Sequence, residues 1–161
     1  MTKVIEIKGI QFHNKGAELM LYTLHEWLRS VPTLNYQLVL PQRNSTPKDL
    51  IRFNALPKAG SLYKRIDWSM LSERLPSTFR SAVGCVSHSD VDIVLDASGF
   101  SYGSPWRPDM TLHSARQAEI TFNNGGKYIV LPQAFGKFHS SSYQAAIKKL
   151  VQISEIVFVR D

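Results

Sequence analysis

A chain of 161 residues with 43% apolar and 20% charged side chains has the size and composition of one globular domain and can bury a core. The single cysteine, Cys85, excludes an internal disulfide, no Cys/His spacing fits a structural zinc site, and no metal is expected. A net charge of +6 suits an anionic partner, but no basic tract or nucleic-acid motif accompanies it, so nucleic acid is not expected.

Residues 3–8 alternate charge with β-branched side chains and run into Gly9, which describes a strand rather than a signal peptide. After it, Ala17, Met20, Leu21, Leu24, Trp27 and Leu28 recur at helical spacing. A second strand over 36–40 stops at Pro41. The stretch 47–90 is the least regular. Its middle mixes Tyr63, Ile66, Trp68, Met70, Leu71 and Phe79 with Lys64, Arg65, Arg74 and Arg80, and Pro76 interrupts any single helix, so it reads as two short helices packed on the sheet. A third strand, 91–96, runs into Ala97-Ser98-Gly99. Pro108 opens a helix that ends at Asn123-Asn124-Gly125-Gly126. A fourth strand, 127–131, ends at Pro132. The serines at 140–142 cap a helix with Tyr143, Ala146, Ile147, Leu150 and Val151 on one face, and a fifth strand covers 156–159. No apolar run approaches the roughly 20 residues of a membrane span. With no signal and a single thiol, a cytoplasmic protein is expected.

Apolar strands alternating with helices imply a parallel sheet covered on both faces, an α/β Rossmann-like layer over residues 1–161. Ligands of such sheets sit beyond the carboxyl ends of the strands, which directs attention to the loops there. The first, Gly9-Ile10-Gln11-Phe12-His13-Asn14-Lys15-Gly16, has the glycine spacing of neither a dinucleotide fingerprint nor a Walker loop. It does place His13, Asn14, Lys15 and Gly16 at a helix start, where an anion is favoured and where Asn14 equally serves as a cap. Asp96 ends a buried strand before the small residues Ala97, Ser98 and Gly99, and serves either as a base or as an acceptor for loop N–H groups. Gln133 and Gly136 lie in a similar strand-end turn, and His139 falls in the loop beyond it.

Four segments together resemble the polysaccharide pyruvyl transferase family: Phe12-His13-Asn14-Lys15-Gly16-Ala17-Glu18-Leu19, Asp96 to Gly99, Val130-Leu131-Pro132-Gln133-Ala134-Phe135-Gly136, and Val159-Arg160-Asp161. Ser98 departs from the glycine pair that the family often has there. The resemblance implies a bacterial enzyme of two Rossmann-like domains facing a cleft, GT-B-like in architecture, of which this chain would be the N-terminal half. The implied reaction transfers pyruvate from phosphoenolpyruvate, the donor substrate, to a saccharide acceptor of a surface or cell-wall polysaccharide, leaving a ketal and needing no cofactor. Carried over residue by residue, Arg160 is the first choice for phosphoenolpyruvate, Asn14 and Gly16 shape the cleft floor, and Asp96 and Gln133 are second choices. The family's C-terminal histidine and basic residues are not in this chain, so a missing domain or companion chain is expected and the isolated chain is expected to be inactive. A non-catalytic sugar- or phosphate-binding module, a truncated gene fragment and a nucleotide-sugar glycosyltransferase are the competing readings.

Overall fold

The computed structural model describes residues 1–59, 62–63, 66–67, 72–103 and 108–160. Strand β1 (Lys3–Lys8) leads to helix α1 (Lys15–Ser30), β2 (Tyr36–Pro41), α2 (Pro47–Arg52) and β3 (Ala55–Lys58). A small antiparallel pair follows, β4 (Leu62–Tyr63) with β5 (Ile66–Asp67), and then α3 (Ser77–Ala82). The second half runs β6 (Ile93–Asp96), α4 (Pro108–Asn123), β7 (Lys127–Ala134), α5 (Ser141–Ile153) and β8 (Ile156–Arg160).

The main sheet has six strands in the order β3-β2-β1-β6-β7-β8, every neighbouring pair parallel. This is the Rossmann order. The chain works outward from β1 to one edge, crosses back, and works outward from β6 to the other, leaving a crevice beyond the carboxyl ends of β1 and β6. Successive side chains of each strand feed opposite faces. Leu38 and Leu40 join Ile5, Ile7, Leu21, Leu28 and Phe53 in the core under α1 and α2. Val39 lies on the other face with Val94, Tyr128, Val130, Ala118 and Leu150, under α4 and α5.

Local signals set most boundaries. Asn14 caps α1, its side-chain oxygen accepting from Gly16 N at 3.0 Å and Ala17 N at 3.4 Å. Ser140 caps α5 through Tyr143 N, and Thr46 with Asp49 forms a capping box on α2. Trp27, expected on the buried face of α1, is 57% exposed.

Three other expectations change. The stretch 47–90 contributes an edge strand, β3, and the antiparallel β4–β5 pair as well as helix, where its middle was expected to be two short helices. Ala55-Leu56-Pro57-Lys58 is short and contains proline, which an edge strand tolerates because its outer N–H groups need no ladder partner. Of the residues named in that stretch, Lys64, Arg65, Trp68, Met70 and Leu71 lie outside the described residues. Strand β7 does not stop at Pro132 but continues to Ala134, the missing N–H being absorbed where the pairing with β8 shifts register between Val130 and Gln133. The third strand begins at Ile93, two residues later than the sequence suggests.

The loops after β1 and β6 come into close contact at the crevice. Gly9 has φ +85, and a Cβ there would stand 2.5 Å from the Ser98 backbone and its Oγ. Gly9→Ala is expected to cost about 3 kcal/mol, the backbone strain and the overlap adding. Gly125, at φ +76 with open space for 4 Å around the position a Cβ would take, should lose only about 1 kcal/mol as alanine. Urea denaturation of both variants checks this, and equal losses would show that the Ser98 approach imposes no constraint.

Candidate functional site

The loop after β1 forms one side of the crevice. His13, Asn14, Lys15 and Gly16 are all exposed there. The Asn14 oxygen is occupied by the cap, and Lys15 Nζ reaches Glu18 at 2.7 Å.

On the other side, the end of β6 is organised by Asp96, which has no exposed surface. Its Oδ1 accepts from Ser98 N at 3.1 Å and Ser98 Oγ at 2.5 Å, and its Oδ2 from Tyr102 OH at 2.5 Å and Tyr128 OH at 2.6 Å. Lys8 Nζ stands 3.7 Å from Oδ2 and donates to Ser114 Oγ at 2.6 Å and Tyr128 OH at 2.9 Å. Burial by itself would raise the Asp96 carboxyl, but the Lys8 cation and the three hydroxyls outweigh it and hold the group below its ordinary value. Burial, with the Asp96 charge acting in the same sense, pushes both phenols well up, so they remain protonated donors.

The loops after β6 and β7 are fastened together. Ala134 N donates to Gly99 O at 3.0 Å and Gly136 N to Tyr102 O at 2.9 Å, while the Tyr102 and Phe135 rings stack at 5.9 Å. Gly136 is exposed, whereas Gln133 is fully buried. The Gln133 Nε2 donates to Asp96 O at 3.3 Å, and its Oε1 has no partner among the described residues. Beside this turn, Arg160 pairs with Ala134 at the end of β8, and its guanidinium sits over the Phe100 ring, 5.1 Å from the centroid. Among the described residues no carboxylate forms an ion pair with Arg160, which is exposed.

The expected site residues thus fall into two groups on one edge of the sheet. Asp96, Ser98, Gly99, Gln133, Gly136 and Arg160 lie at or just beyond the ends of β6, β7 and β8, and His13, Asn14, Lys15 and Gly16 follow β1. The groups meet through the backbone: Ala97 N donates to Lys8 O at 2.9 Å, and Gly9 packs on Ser98. Among the described residues, no hydrogen bond or ion pair links His13, Asn14, Lys15 or Gly16 to Asp96, Gln133 or Arg160, and no group of three His, Cys, Asp or Glu side chains could hold a metal ion. Sequence reasoning missed Lys8, Tyr128, Ser114 and Phe100. Two charges two residues apart in a central strand, Glu6 and Lys8, were the available signal for the first.

With this arrangement in view, the comparisons decide the family. The model of the family described as polysaccharide pyruvyl transferase matches residues 14–161. The chain belongs to that family. The pyruvyl transferase match begins at the cap of α1 and takes in the ends of β6, β7 and β8. No curated protein matches the chain significantly. Among solved structures, an isochorismatase-like hydrolase from Alkaliphilus metalliredigens aligns with 14% identity and a TM-score of 0.36, over 98% of this chain and 95% of that one. A likeness that weak carries no argument.

A second polar cluster shares the α4 face of the sheet. Lys58 and Glu6 form a buried ion pair across strand β2, and His88 is buried beside Gln117, with 3.4 Å between their Nε2 atoms. Burial, with Lys58, His113 and Lys8 acting in the same sense, lowers the His88 pKa from 6.5 to about 2. The unfolded chain takes up this proton near pH 6.5 and the folded one does not. The stability owed to neutral His88 is therefore complete above that pH and falls as pH drops towards 2, by up to about 1.4 kcal/mol per unit. His88→Gln should remove that slope from urea midpoints measured between pH 6.5 and 5; an unchanged slope would mean that His88 does not resist protonation.

Proposed function

We propose that this domain holds the donor of a pyruvyl transfer, with phosphoenolpyruvate as donor and a sugar of a surface or cell-wall polysaccharide as acceptor. The observation that carries the reading is Arg160, an exposed guanidinium at the carboxyl edge of the sheet with no carboxylate partner among the described residues, in a chain of this family. A planar fork of N–H donors matches a phosphate or carboxylate through two oxygens at once. The chemistry requires protonation of the enol phosphate at its methylene carbon, capture of the resulting cationic carbon by two sugar hydroxyls, and departure of phosphate through cleavage of its C–O bond. One hydroxyl proton balances the proton taken up by carbon and the other leaves with phosphate. A fixed cation beside the anionic groups favours both the bound donor and the departing phosphate.

In this reading Asp96 is a positioning residue. A carboxylate with no exposed surface and four hydrogen bonds directs the loop that carries Ser98 and Gly99 rather than exchanging protons with a ligand. Gln133 and Gly136 form the adjoining wall, and the exposed His13, Asn14, Lys15 and Gly16 form the opposite rim of the cleft. Among the described residues no helix is long and apolar enough to cross a membrane, and the donor is a cytosolic metabolite, which supports a cytoplasmic reaction.

Titration calorimetry with phosphoenolpyruvate tests the assignment directly. Arg160→Ala should weaken binding by roughly 10- to 100-fold, the loss expected for a hydrogen-bonded ion pair, with Arg160→Lys intermediate and melting temperatures unchanged. Unaltered affinity in Arg160→Ala would remove Arg160 from the site. Binding without any acceptor-dependent release of phosphate by the whole enzyme would make the domain a binding module instead.

A further inference from the structure

We propose that Phe100 is the positioning residue for Arg160, holding its guanidinium ready for an oxyanion; this rests on the reading of Arg160 as the phosphoenolpyruvate contact. Phe100 is 56% exposed although large and aromatic, so core packing does not account for it. It reaches Arg160 across an intervening strand because the turn that carries it is fixed at several points. Phe100 N donates to Ser98 O at 2.8 Å, Gly99 takes φ +70, and Gly99 O accepts from Ala134 N, the residue that pairs with Arg160 in the sheet. Phe100 and Arg160 therefore approach each other over the same point of β7.

The choice of partner matters chemically. A carboxylate would steady Arg160 equally well but would occupy the donors that a ligand needs. A ring engages the cation through its π-cloud and leaves the in-plane N–H fork for a second partner. The contact also narrows the arrangements open to a long, flexible side chain at the end of an edge strand. Less rotamer entropy then remains to be lost when an anion binds.

The test separates this contact from the reading beneath it. In nitrogen-15 NMR spectra of the native chain, the Arg160 Nε–H resonance should lie upfield through the Phe100 ring current. It should move to an ordinary position in Phe100→Leu and stay shifted in Phe100→Tyr. Phosphoenolpyruvate affinity should fall about three- to fivefold in Phe100→Leu, as for loss of a solvent-exposed cation–π contact, and recover in Phe100→Tyr. In the Arg160→Ala background Phe100→Leu should have no further effect. If Phe100→Leu shifts the resonance but binds the donor as tightly as the native chain, the positioning role is refuted and the Arg160 assignment survives. If Arg160→Ala itself binds normally, or the native chain binds no phosphoenolpyruvate, the underlying reading fails and this one falls with it.

Discussion

The carboxylate of Asp96 is the charge around which the crevice is built. An isolated ionised carboxylate away from water is unfavourable by many kilocalories per mole, so its position is tenable only with donors on every side. Lys8 and the hydroxyls of Ser98, Tyr102 and Tyr128 supply them. Each donor also fixes something else. Ser98 sets the turn that Gly9 must accommodate, Tyr102 stacks on Phe135 and accepts Gly136 N at its carbonyl, and Tyr128 joins β7 to the Lys8 cation at the end of β1. The loops after three neighbouring strands are thereby referred to one buried charge, and the direction in which Phe100 leaves β6 follows from it.

The two faces of the sheet differ in kind. Under α1 and α2 the packing is mainly apolar, from Ile5 and Ile7 to Phe53, with the rings of Tyr22 and His25 against Phe53. Under α4 the same strands turn Glu6, Lys8 and Asp96 inward, with Lys58 and His88 beside them. Burial lowers the pKa of Lys58 while Glu6 opposes it, so the pair persists through mutual proximity rather than by access to water. Ion pairs of this sort add little net stability over an apolar replacement, but losing one member leaves the other charge uncompensated. They narrow the ways in which α4 can settle on the sheet. The helix that covers the crevice on this side is registered by polar contacts, notably Lys8 with Ser114 and His88 with Gln117.

What could be read from the sequence divides along the distance over which each feature is determined. The Asn14 and Ser140 caps, the proline that opens α4 and the Asn-Asn-Gly-Gly that ends it are local, and the structure has helices where those signals place them. Strand β3 was illegible because four residues with a proline carry no alternation, and it exists only because β2 offers an edge. Pro132 looked like a terminator since the register shift that accommodates it belongs to the pairing with β8. Asp96 was visible as a strand-end acid, yet its partners Lys8 and Tyr128 lie 88 residues before it and 32 after it, and nothing local announces them. Arg160 stood out only through the family resemblance, and Phe100, the residue after the Asp96 to Gly99 segment, gains meaning only once the fold brings β8 beside β7.

Charged groups in this domain can be sorted by what lies against them. Lys8, Lys58 and Arg80 each face a carboxylate, with Asp96, Glu6 and Asp90 respectively, and each is largely enclosed, so their charge is already committed to the fold. Arg160 faces a phenyl ring and solvent. A ring lowers the energy of a cation less than a carboxylate does, which leaves more of the electrostatic attraction for a ligand. With an overall charge of +6 the long-range field already draws anions towards the surface, but a field of that kind selects no position. In the proposed reading, position comes from the contrast between the neutralised cations inside and Arg160, steadied by a ring and by no carboxylate among the described residues, so that the end of β8 would offer an anionic donor a geometry as well as a charge.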